Sequence, residues 1–431
     1  MHLHWTRSLA LISLVLVASR SAAAQTCPAP ATLTEGRRLP MAAVRYLADD
    51  ALDGRLAGSP GERCAGDYIA GEFARLNLQP AGERGTFFQD VPLASVLNPH
   101  APPGTGRNVL ALLEGSDPTL KNDVIVIGAH YDHLGEGGPS SLAPGVKAIH
   151  NGADDNASGV AAMLRAAEQL SAGTRPARSV LFAAFTGEES GLLGSAYLVG
   201  HPTATGRLAG MINLDMVGRL GSGSLIVSGV DTAGEWRTVV DRAAARAGVP
   251  IATRGEGYGP SDHTSFYVKD VPVLHFFTNT HADYHKPSDD WEKIDAAGLA
   301  KVADLVTLVA SAIADRGQAL TLRRGAGQPP PPPGSTGSGY GAYLGTVPDF
   351  TPVDRGVKLS GVTAGSPADK GGIRSGDVVV AIAGKDIADL QAMTDALRAH
   401  KPGETVTVGV LRDGVARVVT VTLGDRATLR Q

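Results

Sequence analysis

Four short stretches of this chain, 124–127, 180–185, 211–214 and 271–277, are almost uninterruptedly apolar. None alternates strictly between apolar and polar, which is the pattern of strands buried on both faces. Between the first two, Val160, Met163, Leu164, Ala167 and Leu170 recur at helical spacing and predict a strand, helix, strand unit. The same spacing predicts helices over 61–76, 233–247 and 297–314. Strands alternating with helices predict an α/β domain with a mixed, mainly parallel sheet covered by helices on both faces. Ligands of such sheets bind in the crevice beyond the carboxyl ends of the strands.

The pattern breaks at 325–339, where Gln328, the run Pro329 to Pro333 and then Gly, Ser and Thr cannot bury apolar surface. A semi-rigid polyproline spacer with a flexible end is predicted there. It separates a large unit, 25–324, from a small β-rich one, 340–425. Residues 1–24 have the layout of a secretory signal peptide: Arg7, an apolar stretch over 9–18, and Ala22, Ala23 and Ala24 before Gln25. That stretch is too short to span a bilayer, and no later one offers roughly 20 uninterrupted apolar residues. The expectation is an exported chain, periplasmic or secreted, with no integral membrane segment once matured. Cys27 and Cys64 are the only cysteines, so one disulfide is expected, and an iron–sulfur cluster or all-thiolate zinc site is excluded. A net charge of −4 over 431 residues, with no long basic run, argues against a nucleic-acid partner.

The candidate chemistry sits where the apolar runs end. His130 follows the first run in Ile127-Gly-Ala-His130-Tyr-Asp132-His133, Glu188 and Glu189 follow the second, and Asp215 follows the third. Asp155 lies just before the predicted helix in Asn151-Gly-Ala-Asp-Asp155-Asn-Ala-Ser-Gly159, and His285 lies in Tyr284-His285-Lys-Pro287. Singly, each has an ordinary reading: a helix N-cap, a solvated first turn, a hydrogen-bonded structural histidine. Their coincidence at strand ends points to a metal site. Two imidazoles and three carboxylates, one of them bridging, give two divalent ions three protein ligands each. Nitrogen donors favour zinc, with cobalt or manganese as substitutes. Paired cations lower the pKa of a shared water, and one glutamate of an adjacent pair can ligate while the other moves a proton. The residues alone leave Asp154 open against Asp155, and His281 against His285; His133, His150, His263 and His275 are further spare imidazoles.

These runs resemble the M28 family of metallo-aminopeptidases, in His130-Tyr-Asp132, Gly152-Ala-Asp-Asp155-Asn-Ala-Ser-Gly159, Gly187-Glu188-Glu189, Asn213-Leu-Asp215-Met and Tyr284-His285-Lys-Pro. Carried over residue by residue, the resemblance implies two Zn2+ per chain, one on His130, Asp155 and Asp215, the other on Asp155, Glu189 and His285. It implies Glu188 as general base and acid, Asp132 as the group orienting His130, and Tyr284 as a hydrogen-bond donor to the developing oxyanion. The implied activity is that of an exported aminopeptidase removing N-terminal residues from peptides. A glutaminyl cyclase-like transferase, a carboxypeptidase and a non-catalytic peptide-binding protein are the alternatives. Ser261-Asp-His263-Thr reads as a helix cap or a motif near the pocket and receives no ligand role, and Leu52-Asp-Gly-Arg55-Leu-Ala-Gly58-Ser-Pro60-Gly is expected to dock the N-terminal helices.

After the spacer, Tyr343-Leu-Gly345, Gly365-Ser-Pro-Ala368, Gly371-Gly-Ile373 and Ser375-Gly-Asp377-Val resemble a PDZ domain of the bacterial protease type. The resemblance implies that the loop of Ala342, Tyr343, Leu344 and Gly345 receives a peptide C-terminus while the peptide adds to a sheet edge. The alternative is a β-rich module that only packs against the enzyme.

Overall fold

The computed structural model describes residues 27–29, 40–93, 104–138, 140–143, 145–203, 206–327, 342–349, 351 and 353–425. The expected signal peptide, and 328–339 of the expected spacer, lie outside the described residues.

Among the described residues the large unit is built on nine strands: β1 (Gln79–Pro80), β2 (Phe88–Pro92), β3 (Thr105–Leu113), β4 (Asp123–His130), β5 (Ser179–Phe185), β6 (Arg207–Leu214), β7 (Leu225–Ser228), β8 (Ile251–Thr253) and β9 (Val273–Phe277). They run in the order β1-β3-β5-β4-β6-β9-β7-β8, with β2 beside β3. Strands β5, β4, β6 and β9 are parallel neighbours, and β3 and β7 join them antiparallel at either side. The sheet is therefore mixed, parallel at its centre. The apolar runs of the sequence correspond to the four central strands; the antiparallel flanks were not predicted.

The reason for continuous apolar runs is visible in β4. Ile125, Ile127 and Ala129 point into the core beneath one face, and Val124 and Val126 into the core beneath the other. The helices are α1 (Pro40–Leu47), α2 (Pro60–Arg75), α3 (Gly159–Ala172), α4 (Leu193–Gly200), α5 (Trp236–Ala247), α6 (His263–Tyr267) and α7 (Ala296–Ala314). Residues of α1, α2, α3, α5 and α7 fill the first core, and those of α4 and α6 the second. The start of α2 follows from its sequence: Ser59 Oγ accepts the Glu62 amide at 3.1 Å, Pro60 occupies the first turn, and Glu62 Oε2 accepts the Gly58 amide at 2.9 Å. Helix α5 begins three residues later than its periodicity predicted, because Ala233 pairs instead with Leu322. Among the described residues α7 alone is long and apolar enough to cross a membrane. It is a core helix here, with Leu299, Val302, Val306, Val309 and Ile313 packed against α3 and α5. Cys27 and Cys64 are joined, tying the N-terminal segment to α2.

The small unit is an antiparallel sheet, β10 (Thr346–Pro348), β11 (Val357–Val362), β12 (Val378–Ile382), β13 (Lys385–Asp386), β14 (Thr405–Arg412) and β15 (Val415–Thr422), with helices α8 (Pro367–Lys370) and α9 (Leu390–Arg398). Leu344, Leu359, Val379, Ile382, Val408 and Val410 form its core. A bidentate pair between Arg412 and the buried Asp377, both contacts at 2.7 Å, braces β12 against β14.

Candidate metal centre

Parallel pairing brings the carboxyl ends of the central strands to one edge. His130 ends β4 opposite Phe185 of β5, Glu188 and Glu189 follow β5, and Asp215 follows β6. Asp155 reaches the same edge from the turn before α3, where the Asp155–Asn156 peptide is cis. Asn156 fastens that turn to the end of β6: its Nδ2 donates to Leu214 O at 2.9 Å and its Oδ1 accepts the Met216 amide at 3.2 Å. Gly159 belongs to the same junction, since a Cβ there would lie 2.5 Å from Leu214 O. The GADDNASG run is thus a fastener between two segments as well as a source of ligands.

Asp155 stands at the middle of the cluster. Its Oδ1 is 3.3 Å from His130 Nε2, and its Oδ2 is 3.1 Å from His285 Nε2. His130 Nε2 also lies 3.4 Å from Asp215 Oδ1, and His285 Nε2 lies 3.3 Å from Glu189 Oε2. Donor atoms each about 2.0–2.2 Å from one tetrahedral ion are separated by about 3.3–3.6 Å. In both triads, His130 with Asp155 and Asp215, and His285 with Asp155 and Glu189, the histidine–carboxylate distances are close to that spacing, and the triads share Asp155. The donor set of imidazoles and carboxylates therefore suits a divalent cation such as zinc.

The neighbouring candidates are used elsewhere. Asp154 Oδ1 accepts the Gly218 amide at 2.7 Å, and Asp154 Oδ2 faces His281 Nε2 at 3.1 Å, so these two residues pair with each other beside the cluster. Asp289 Oδ2 accepts both the Asp154 and Asp155 amides, at 2.9 and 3.1 Å, which turns the two adjacent carboxylates in different directions. Ser261 accepts from Asn213 Nδ2 at 2.7 Å ahead of α6, outside the donor cluster. Asp132 presents its carboxylate 3.8 Å from His130 Nδ1, with its own carbonyl closer at 3.2 Å, while Asp132 Oδ1 accepts the Glu188 amide at 3.1 Å. Tyr284 stacks on the His285 ring at 3.9 Å and packs against Met216, Ile226 and Phe277.

Two residues here have roles their sequence context did not reveal. His133 Nδ1 is 2.7 Å from Glu189 Oε1 but 4.0 Å from Asp155 Oδ2. It also groups geometrically with those two carboxylates. However, 2.7 Å is too close for two ligands of one tetrahedral ion and 4.0 Å too far, so His133 serves as a hydrogen-bond partner of Glu189. Arg55, fully buried, donates to the carbonyls of Leu47, Tyr131, Asn151 and Gly152. It lies beneath the loops that carry His130 and Asp155. Gly54 beside it takes a left-handed φ of 66°, and a Cβ there would meet the carbonyls of Gly135 and His150 at 2.5 Å. The one sequence signal for Arg55 was its place in an Asp-Gly-Arg turn.

The electrostatics call for positive charge. Burial opposes ionisation of Asp155, yet the His130 and His285 imidazoles hold its carboxyl well below the usual range. Burial likewise opposes ionisation of Glu189, but His285 and His133 bring it down to about 2. Both imidazoles are pushed well above their ordinary value against the effect of burial, His130 by Glu188 and Asp215, His285 by Glu189 and Asp155. Glu188 behaves oppositely: burial, then Asp215, Glu189 and Asp262, push it well above a normal glutamate despite His130. Among the described residues Glu188 forms no side-chain ion pair.

Residues 108–310 match the family model of peptidase family M28, and residues 343–423 match that of the PDZ domain. The chain carries a peptidase family M28 domain. All five metal-ligand candidates and Glu188 lie inside the M28 match. Leupeptin-inactivating enzyme 1 of Streptomyces exfoliatus is 30% identical over 278 residues, covering 61% of this chain and 58% of that protein. Aminopeptidase YwaD of Bacillus subtilis is 29% identical over 215 residues, covering 47% and 44%. The chain thus spans about half the length of these relatives. Among solved structures, the aminopeptidase from Aneurinibacillus sp. strain AM-1 superposes with a TM-score of 0.50 at 21% identity, covering 66% of this chain and 94% of that one. The glutaminyl cyclase of Porphyromonas gingivalis superposes at 0.52 with 20% identity, covering 63% and 96%. The fold is therefore shared with both an aminopeptidase and a glutaminyl cyclase, and does not by itself choose between them.

Proposed function

We propose that this M28 chain is an exported dizinc aminopeptidase. The observation that carries the reading is the Asp155 carboxylate, whose two oxygens face His130 and His285 separately, with the half-buried Glu188 nearby and outside both triads. His130, Asp155 and Asp215 would hold one zinc, and Asp155, Glu189 and His285 the other. Bound there, the ions would supply Lewis acidity toward a water and the scissile carbonyl.

The protein's own groups do the rest. Glu188 accepts the proton released by the attacking water on its carboxylate and delivers it to the nitrogen of the leaving amine. Tyr284, whose phenol is pushed well above its ordinary value by burial and by Asp155 and Glu189, stays neutral and donates to the oxygen that gains charge. The surroundings favour an α-ammonium over an α-carboxylate: Glu188, Glu189, Asp155, Asp215 and Asp262 surround the site, while Arg55 is spent on backbone carbonyls and Arg219 on Asp283 and Asp289. This supports N-terminal polarity over carboxypeptidase action. Met216, Ile226, Phe277 and Tyr284 form an apolar group beside Asp215 and His285, and on that basis the preferred first residue is apolar.

Export is proposed from the signal-like N-terminus and fits the Cys27–Cys64 disulfide. At the PDZ domain, a peptide C-terminus is proposed to sit against the loop of Ala342, Tyr343, Leu344 and Gly345; the Tyr343 amide is already donated to Gly424 O at 2.8 Å, which leaves the task to the later amides. The test is a screen of zinc-loaded protein on unblocked, N-acetylated and C-terminally amidated peptides, and on a peptide with N-terminal glutamine. Residue release that needs a free amine, tolerates the amide and is abolished by chelation is expected. Cyclisation of the glutamine peptide without hydrolysis would replace the reading with a cyclase.

A further inference from the structure

The PDZ domain touches the peptidase domain on the loop that presents His285. After β9 the chain passes through Thr278, Asn279 and Thr280 and then reaches His281, Tyr284 and His285. Asn279 Nδ2 donates to Asp349 Oδ1 at 2.6 Å and to Thr351 Oγ1 at 3.0 Å. Thr280 Oγ1 donates to the Pro348 carbonyl at 2.5 Å and lies 2.7 Å from Ser360 Oγ. The PDZ side of the contact is itself braced. Pro348 ends β10, Ser360 lies on β11, the Asp349 amide donates to Lys358 O at 2.7 Å, and the Asp349 carboxylate pairs with Lys358 Nζ at 3.0 Å.

The loop turns through two left-handed residues. Asn279 takes φ of 80° and His285 φ of 54°, left-handed values uncommon outside glycine even though asparagine and histidine adopt them more readily than most, so contacts from the surroundings help to hold them. Those surroundings are distributed along the loop. The Thr278 amide donates to Met216 O at 2.8 Å, His281 faces Asp154, Asp283 pairs with Lys293, and the His285 carbonyl accepts the Leu142 amide at 2.9 Å. The PDZ contacts fall on the two residues between Thr278 and His281, where the chain leaves the sheet and turns toward the cluster.

We propose that the PDZ domain is a positioning element of the metal centre. Through Asn279 and Thr280, the β10–β11 edge holds the loop that aims His285 Nε2 at Asp155 and Glu189. Asn279, Thr280, Asp349 and Ser360 are positioning residues; none touches the reacting atoms. The inference rests on the reading of His285 as a ligand, but the loop's mobility can be measured without any metal.

The experiment uses the full chain carrying Asp349→Ala with Ser360→Ala, which leaves the peptidase domain's sequence intact, and separately Thr280→Val with Thr280→Ser as its conservative partner. Amide hydrogen exchange over 278–289 is read in metal-free protein, zinc retention by chelator competition, and kcat and KM on the cleaved peptide. Losing one or two of these hydrogen bonds is expected to speed exchange over 278–289 about ten-fold and to lower kcat by a similar factor, with KM changing less. The more weakly held zinc should be lost at lower chelator concentration, and Thr280→Ser should match the unmodified protein. Exchange over β14 and β15 shows whether the PDZ domain stays folded in the double variant; if it does not, Thr280→Val alone decides. Unchanged exchange over 278–289 in Thr280→Val, or in a double variant whose PDZ domain is folded, overturns the proposal. Accelerated exchange in a protein that cleaves no peptide would sink the aminopeptidase reading and leave the positioning role standing.

Discussion

Replacing Arg55 by methionine removes a cation from beneath the metal-site loops while keeping a long unbranched side chain. The guanidinium donates to the carbonyls of Leu47, Tyr131 at 2.8 Å, Asn151 at 2.6 Å and Gly152 at 3.1 Å. Gly152 O keeps the Ala157 amide as a second donor at 3.2 Å, so three carbonyls depend most on Arg55. A buried carbonyl stripped of its donor costs about 1–3 kcal/mol, hence roughly 3–9 kcal/mol for the three. The opposing effect is the charge itself. Burial brings the guanidinium down to about 10 from an ordinary 12.5, even with Asp132, Asp155, Asp289 and Glu189 favouring its charge. Removing it returns on the order of 3 kcal/mol. The lost hydrogen bonds outweigh this relief, and Arg55→Met is expected to destabilise the protein by about 3 kcal/mol, a large part of the roughly 5–15 kcal/mol a folded domain possesses. Arg55→Lys keeps the desolvation cost but lacks the planar fork that reaches several carbonyls at once, so it should be no more stable than Arg55→Met. Urea unfolding followed by fluorescence of Trp236, buried in the same core, reads the midpoint and slope. Metal-free protein is used, so that ligand linkage does not enter. If Arg55→Met matched or exceeded the unmodified protein in stability, the carbonyls would not depend on Arg55 and the reasoning would fail.

Glu188→Gln should lower kcat by about 10²–10⁴-fold with zinc content unchanged; a loss of zinc in place of rate would make Glu188 a ligand. His285→Ala should reduce cobalt uptake in equilibrium dialysis by one ion per chain, whereas His281→Ala, whose imidazole faces Asp154, should leave uptake intact. In the PDZ domain, the Arg412 hydrogen bonds hold the Asp377 carboxyl below its ordinary 3.8. The stability they contribute is present above that ordinary value and is lost as pH falls through the lower folded value. Exchange protection of β14 should therefore weaken below about pH 4, where aspartate begins to bind protons, and Asp377→Asn should remove that acid limb. Cys64→Ser opens a closure spanning 37 residues and should cost up to about 4 kcal/mol in denaturant unfolding; no change in midpoint would show that the tether constrains nothing in the unfolded chain.

The parts of this protein legible in its sequence are those where a residue's demand is met by its near neighbours along the chain. An apolar run such as 124–127 must be covered on both sides wherever it goes, so the central sheet follows from it. Ser59, Pro60 and Glu62 satisfy the first amides of α2 within one turn, so the helix start follows too. Imidazoles and carboxylates at the ends of parallel strands come to one edge whatever the details of packing, which is why a metal site was readable.

What the sequence by itself could not determine is which of several identical groups would face that edge. Asp154 and Asp155 are adjacent and chemically alike; Asp289, more than a hundred residues away, grips both amides, while Gly218 and His281 draw Asp154 aside. The same choice sends His285 to the cluster and His281 away from it. His133 and Arg55 acquire their roles from Glu189 and from the carbonyls of Tyr131, Asn151 and Gly152, partners set only by packing. The antiparallel flanks of the sheet and the contact of Asn279 and Thr280 with the PDZ domain belong to the same class. Apolar periodicity and capping are local and leave their record along the chain. A choice among equivalent side chains depends on which distant backbone groups need a partner, and only the tertiary structure brings those together.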